Sequence, residues 1–256
     1  MRLRPCIDIH NGKVKQIVGS SLTDDNVREN FVSAFDAAYY AKIYRDRALS
    51  GGHVIVLNSR TSEYYEASKK AAFSALSAFP GGMQYGGGIN NENAAEFLDA
   101  GASHVIVTSF VFKDGMLDMK NLRSLQTECG RDRIVLDLSC RKKEDGNYYV
   151  TTDRWQRFTD LLISEESLRS LSGECSEFLV HAVDNEGKSA GVDKELIRIL
   201  SGVKDIPVTY AGGIKSLSDV DIIKAQGRGL VDYTVGTALE LFGGSLKLDE
   251  LIKLND

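Results

Sequence analysis

Asp8 and Asp137 are the residues of this 256-residue chain whose setting most needs an explanation. Each sits near the end of a short apolar run, CIDIH at 6–10 and VLDLS at 135–139, where a carboxylate aimed into a core would be costly to desolvate. At the open end of a sheet such a group becomes an acid or a base, because burial and a like-charged neighbour set two carboxyls in different protonation states. The structural alternative is that it merely accepts loop N–H groups. Two glycine clusters pose the second question. YGGGI at 85–89 and YAGGI at 210–214 repeat nearly the same five residues 125 positions apart. Glycines directly after a strand let the backbone approach a ligand, and a following helix offers unpaired N–H groups, which together hold phosphate without side-chain charge. Gly87 and Gly88, with Thr108 and Ser109 from the next strand end, form one such nest. Gly212 and Gly213, with Gly236 and Thr237, form the other. Either cluster alone is as well explained by tight turns. Both together favour a small-molecule substrate with a phosphate at each end.

The histidines divide. His10 either touches that substrate or orders the HNGKV segment, and His181, closing EFLVHA, either faces the same mouth or packs. His53 and His104 open their strands and read as structural residues. Four histidines without carboxylate or cysteine at ligand spacing make no metal site, and no cofactor is expected. Cys6, Cys129, Cys140 and Cys175 show no CxxC spacing and read as reduced thiols.

These residues need a scaffold that brings distant strand ends together. RPCIDI (4–9), HVIVLN (53–58), GMQYG (82–86), HVIVTS (104–109), RIVLDL (133–138), EFLVHA (177–182), IPVTY (206–210) and LVDYTV (230–235) are eight strand candidates, several of them the near-continuous apolar segments of a helix-covered parallel sheet. Helical patterns at 91–101, 119–129, 193–202 and 216–227 fall between them, several ending at glycine. VTSFV at 107–111 matches VGTAL at an offset of 128, and CIDI matches VLDL at 129, close to the glycine repeat. The expected fold is therefore α/β: a single (β/α)8 TIM barrel, one domain over residues 1–256, built from two duplicated half-barrels. Strands 1 and 5, 3 and 7, and 4 and 8 then face each other across the axis.

Composition narrows the partners. Lys and Arg number 31 against 36 Asp and Glu, a net charge of -5 with no basic block, which gives no electrostatic case for nucleic acid or an anionic membrane. No apolar run approaches the roughly 20 residues of a membrane helix. The opening MRLRPCIDIHNGK is polar and charged where a signal peptide keeps its apolar core, so a cytoplasmic protein is expected.

Taken together, CIDIHNGKV, YGGGI, VLDLS, VDNEGKSAG, YAGGI and VGTAL resemble, in order and over essentially the whole chain, the phosphoribosylformimino-5-aminoimidazole carboxamide ribotide isomerases of histidine biosynthesis. The resemblance implies a duplicated TIM barrel that turns a bis-phosphorylated aminoaldose into an aminoketose by an Amadori rearrangement, without metal or organic cofactor, as a monomer with no obligate protein partner. It implies Asp8 as general base and Asp137 as general acid. It also implies that Trp155, the one tryptophan, closes over the substrate from the fifth loop.

Departures from the common bacterial pattern point to the family's divergent eukaryotic branch. His181 stands for a threonine, Glu186 for an aspartate, Arg154 for a glycine, Asn90 for an arginine, and LNSRT (57–61) for DLDGA. The segment 19–31 reads as a lid. Two alternatives remain. One is the cyclase subunit of imidazole glycerol phosphate synthase, which usually continues its first strand differently from IHNGKVKQIVG and has a glutaminase partner. The other is a noncatalytic phospho-ligand sensor, which would keep the glycines and lose an aspartate.

Overall fold

The computed structural model describes residues 1–17, 29–153, 155–185 and 191–255. Eight parallel strands follow one another in chain order: β1 (Cys6–His10), β2 (Gly52–Val56), β3 (Met83–Gly86), β4 (Val105–Val107), β5 (Ile134–Asp137), β6 (Glu177–His181), β7 (Val208–Ala211) and β8 (Val231–Tyr233). The sheet curls far enough that a parallel bridge joins Leu3, just before β1, to Tyr233 in β8. Eight α-helices are present among the described residues: α1 (Ala37–Asp46), α2 (Tyr65–Ala78), α3 (Ala94–Asp99), α4 (Met119–Cys129), α5 (Glu165–Leu171), α6 (Lys194–Leu200), α7 (Leu217–Gln226) and α8 (Leu248–Ile252). The molecule is an α/β fold with a curled, internally duplicated sheet.

Local sequence explains these elements. The residues of β3 and β8 are buried along their whole length, as a strand covered on both faces requires. Asp36 caps α1 by accepting from Tyr39 N at 2.8 Å, a contact worth about 1 kcal/mol. That helix buries Ala37, Tyr40, Ala41 and Tyr44, and the Tyr44 hydroxyl donates to the Cys6 carbonyl at 3.0 Å, fastening α1 to β1. In α7, Ser216 and Asp219 form a reciprocal capping box.

The strand-start end of the interior is polar. Arg4 Nε lies 2.8 Å from Asp232 Oδ2, and Glu177 accepts from Gln84 Nε2 at 3.0 Å and Thr209 Oγ1 at 2.9 Å. Burial pushes the Glu177 carboxyl up, and the Arg4 guanidinium opposes that shift. Stranding one charge of such a set costs roughly 3–5 kcal/mol.

The duplication expected from the sequence is visible in the backbone. Tyr85 pairs with Val105 in one half and Tyr210 with Tyr233 in the other, which are equivalent positions under the sequence offsets. Gly87 and Gly212 have φ of 121° and 114°, and Gly88 and Gly213 of 68° and 76°.

Three additions lie outside the eight-strand expectation, the smallest being an antiparallel pair of Phe112–Lys113 with Met116–Leu117. A two-residue turn at Asn11 (φ 52°) and Gly12 (φ 74°) folds Lys13–Ile17 back on β1, and Glu29–Val32 pairs with that strand. After β5, Cys140–Lys142, Tyr148–Thr152 and Arg157–Leu162 form a three-stranded antiparallel sheet.

Candidate active site

Asp137 ends β5 half-buried. Its Oδ1 accepts from Ser139 N at 2.9 Å and from the Ser139 hydroxyl, while Oδ2 accepts from Thr108 Oγ1 at 3.1 Å. Ser139 Oγ lies 3.0 Å from His181 Nδ1, so a chain of contacts runs from the carboxylate to the imidazole at the end of β6. With the serine hydroxyl donating to the carboxylate, its oxygen is left to accept from His181 Nδ1–H. The added three-stranded sheet supplies the cover. Trp155 sits in its last turn with a left-handed backbone (φ 65°), its ring 5.6 Å from that of His181. Gly87, Gly88, Thr108, Ser109, Asp137 and Trp155 line one cavity of about 460 Å³.

Asp8 lies in a second, tighter cavity of about 50 Å³ with Gly212, Gly213, Gly236, Thr237 and His181. Gln16, from the strand that folds back on β1, reaches in and donates from Nε2 to Asp8 Oδ2 at 3.1 Å. His53 lines the same cavity, its ring 6.3 Å from that of His181. Burial, and secondarily His181, lower the His53 pKa to about 3, so this imidazole is neutral at physiological pH. Each cavity thus combines one glycine pair with one aspartate.

The glycine loops are braced from behind. Asn93 Nδ2 donates to the Gly88 carbonyl at 3.0 Å and its Oδ1 accepts from Asn90 N at 2.9 Å. In the other half Asp219 Oδ2 accepts from Lys215 N and Ser216 N, both at 3.0 Å. Neither pair opens directly into a helix, since α3 starts at Ala94 and α7 at Leu217. A Cβ added at Gly213 would lie 2.2 Å from the Gly191 carbonyl oxygen, whereas one at Gly88 would meet the flexible Arg60 stem at 2.8 Å.

Of the sequence-derived residues, His10 stands apart. It is buried at the end of β1, paired with Lys13, and lines neither cavity. Glu186, Arg154 and residues 19–28 of the expected lid lie outside the described residues. His53, read from sequence as a remote strand-start residue, belongs to the Asp8 cavity because its side chain points inward from β2. Gln16 and Ser139 were not singled out from sequence. The Asn11-Gly12 dipeptide was a hairpin signal that could have brought Gln16 back toward Asp8. Ser139 carried no signal beyond adjacency to VLDL. Among the described residues no cluster of three His, Cys, Asp or Glu could hold a metal ion.

With this geometry in view, the chain compares closely with known proteins. The family model described as histidine biosynthesis protein matches residues 2–246. The chloroplastic 1-(5-phosphoribosyl)-5-((5-phosphoribosylamino)methylideneamino) imidazole-4-carboxamide isomerase of Medicago truncatula is 48% identical over 258 residues, covering 98% of this chain and 81% of the relative. Proteins of the same name from Neurospora crassa and Saccharomyces cerevisiae are 46% and 43% identical, covering 99% and 98% of this chain and 98% and 97% of theirs. The chain belongs to this isomerase family of histidine biosynthesis.

These three relatives come from a plant and two fungi. In this isomerase the histidine at 181 does not stand alone. Ser139 bridges it to Asp137, and Trp155 lies beside it.

Proposed function

We propose that this chain converts the bis-phosphorylated aminoaldose of histidine biosynthesis into its aminoketose, with Asp137 as general acid and Asp8 as general base. The observation that carries the reading is the pairing of one glycine nest with one carboxylate in each of two cavities at the same strand ends. Protonation of the ribose ring oxygen by Asp137 opens the ring to a Schiff base, whose carbon–nitrogen bond acidifies the neighbouring C2′ proton. Asp8 removes that proton, and the enolamine relaxes to the aminoketose. No oxidant enters the balance, because the electron pair of the C2′–H bond ends in the new C–H bond of the C1′ methylene, while C2′ loses its hydroxyl proton and becomes the carbonyl.

One phosphate sits against Gly87, Gly88, Thr108 and Ser109, the other against Gly212, Gly213 and Thr237, and Trp155 stacks on the imidazole carboxamide in the larger cavity. His181 hydrogen-bonds to the opening sugar. Both half-sites come from one chain, which supports a monomer without an obligate partner. The Leu3–Tyr233 bridge supports closure of the eight strands into a single barrel domain. No helix of the described residues is long and apolar enough to cross a membrane. All four cysteines are free, which supports a reducing compartment such as the cytoplasm.

The test is a spectroscopic assay with the bis-phosphorylated aminoaldose, without ammonia or glutaminase, on the wild type and on Asp8→Asn and Asp137→Asn. Isomerisation by the wild type and its loss by orders of magnitude in both variants, with substrate still bound, is the expected result. A wild type that leaves this compound untouched but cyclises the ketose once ammonia is supplied would be the cyclase instead.

A further inference from the structure

The two carboxylates have hydrogen-bond partners of different chemistry. Asp137 is met by two hydroxyls, Thr108 at 3.1 Å and Ser139, beside the Ser139 N–H. Asp8 is met by the carboxamide of Gln16, whose Nε2 donates to Oδ2 at 3.1 Å. A hydroxyl donates to a carboxylate and can equally accept from a carboxylic acid, whereas an amide NH₂ only donates. The two hydroxyls at Asp137 can therefore serve either protonation state, although the Ser139 N–H only donates, and the Gln16 contact favours the ionised form of Asp8.

Gly236 is what makes room for this contact. It stands 128 positions after Thr108, at the equivalent strand end of the other half. It is absent from the positive-φ glycines, so its backbone does not demand glycine. A Cβ built there would lie 2.4 Å from Gln16 Oε1. Where one half places a hydroxyl, the other leaves a gap, and Gln16, 3% exposed, fills it from the strand that folds back on β1.

We propose that Gln16 is a positioning residue that keeps Asp8 ionised for proton abstraction, and that Gly236 is glycine in order to seat the Gln16 carboxamide. The inference rests on Asp8 as the base. Among the described residues, the other groups facing Asp8 include Cys6 on its own strand, His53 from β2, His181 from β6, the Thr234 hydroxyl after β8 and Tyr44 from α1. Burial keeps His53 neutral and pushes the Tyr44 hydroxyl well up, which leaves His181 as the neighbouring imidazole to control for.

The experiment is the pH profile of kcat/KM for the wild type, Gln16→Leu, Gln16→Glu and Gly236→Ala, repeated in a His181→Asn background. In Gln16→Leu the acidic limb should move to higher pH by about one unit, activity falling about tenfold below the limb and recovering above it. Gln16→Glu, which keeps the shape of the side chain, should move it further, because adjacent carboxyls resist double ionisation. Gly236→Ala should reproduce the Gln16→Leu shift and add nothing to it in the double variant. Affinity for the bis-phosphorylated product should stay within about twofold of the parent background in Gln16→Leu and Gln16→Glu, and a circular-dichroism melt checks that each variant is folded. An unmoved limb in folded Gln16→Leu and Gln16→Glu overturns the role of Gln16. Equal loss of product affinity on Gly236→Ala, with or without Gln16, overturns that of Gly236. An Asp8→Asn variant that turns over at the wild-type rate would instead remove the base assignment itself.

Discussion

The half-site around Asp137 is roomy, about 460 Å³ under Trp155, with two hydroxyls on its carboxylate, whereas the half-site around Asp8 is about 50 Å³, with an amide on its carboxylate and a neutral imidazole beside it. Their backbones nevertheless match, down to glycine φ angles within 8° of each other. A duplicated scaffold has thus kept its glycine loops and changed what surrounds each carboxylate. On the proposed reading, the shared backbone seats the two ends of the substrate, and the differing side chains separate the acid from the base.

The difference can be broken most sharply at the glycines. Gly213→Val should weaken binding of the bis-phosphorylated product about a hundredfold, because its Cβ would meet the backbone carbonyl of Gly191 at 2.2 Å. Gly88→Val should cost only about tenfold, since the Arg60 stem can move aside, although a left-handed β-branched residue is strained in both. Isothermal titration of the two variants, side by side, reads the ratio, and equal losses would mean that the loops are braced alike. A smaller effect is expected from the hydroxyl chain of the acid. Ser139→Ala removes the contact between Asp137 and His181 and should lower kcat about tenfold with KM little changed, while Thr108→Val should lower kcat and raise KM together. Steady-state kinetics separate the two patterns. The smallest effect is assigned to Trp155→Phe, a few-fold rise in KM confined to the larger cavity. A fall in kcat at constant KM would place the indole on the reacting atoms rather than on the carboxamide.

The alternation of strands and helices, the half-chain repeat and the strand-end position of both aspartates were legible because each is written in contiguous residues. Helix 119–129 was read to the residue from its pattern, and α1 was not singled out, since its start depends on Asp36 and its buried face on two tyrosines and two alanines. What surrounds the carboxylates was largely illegible. Gln16 reaches Asp8 only because a two-residue turn reverses the chain, and Ser139 meets His181 only because β5 and β6 are neighbours. His53 was assigned by its place at a strand's beginning. In a curled sheet with inward-pointing side chains, a residue three positions below the rim still lines the floor of the cavity.

The ion pair between Arg4 and Asp232 also bears on how the chain comes to be folded as it is made. Its partners are 228 positions apart, and the other counterion of Arg4, Glu177, also lies in the second half of the chain, so a ribosome that has released the first strand must add most of the protein before that guanidinium can leave water with a counterion. Until then the emerging chain holds a charge that resists burial at the strand-start end. Premature docking of the first half against another nascent chain is correspondingly disfavoured, and the last strand to appear completes the interior.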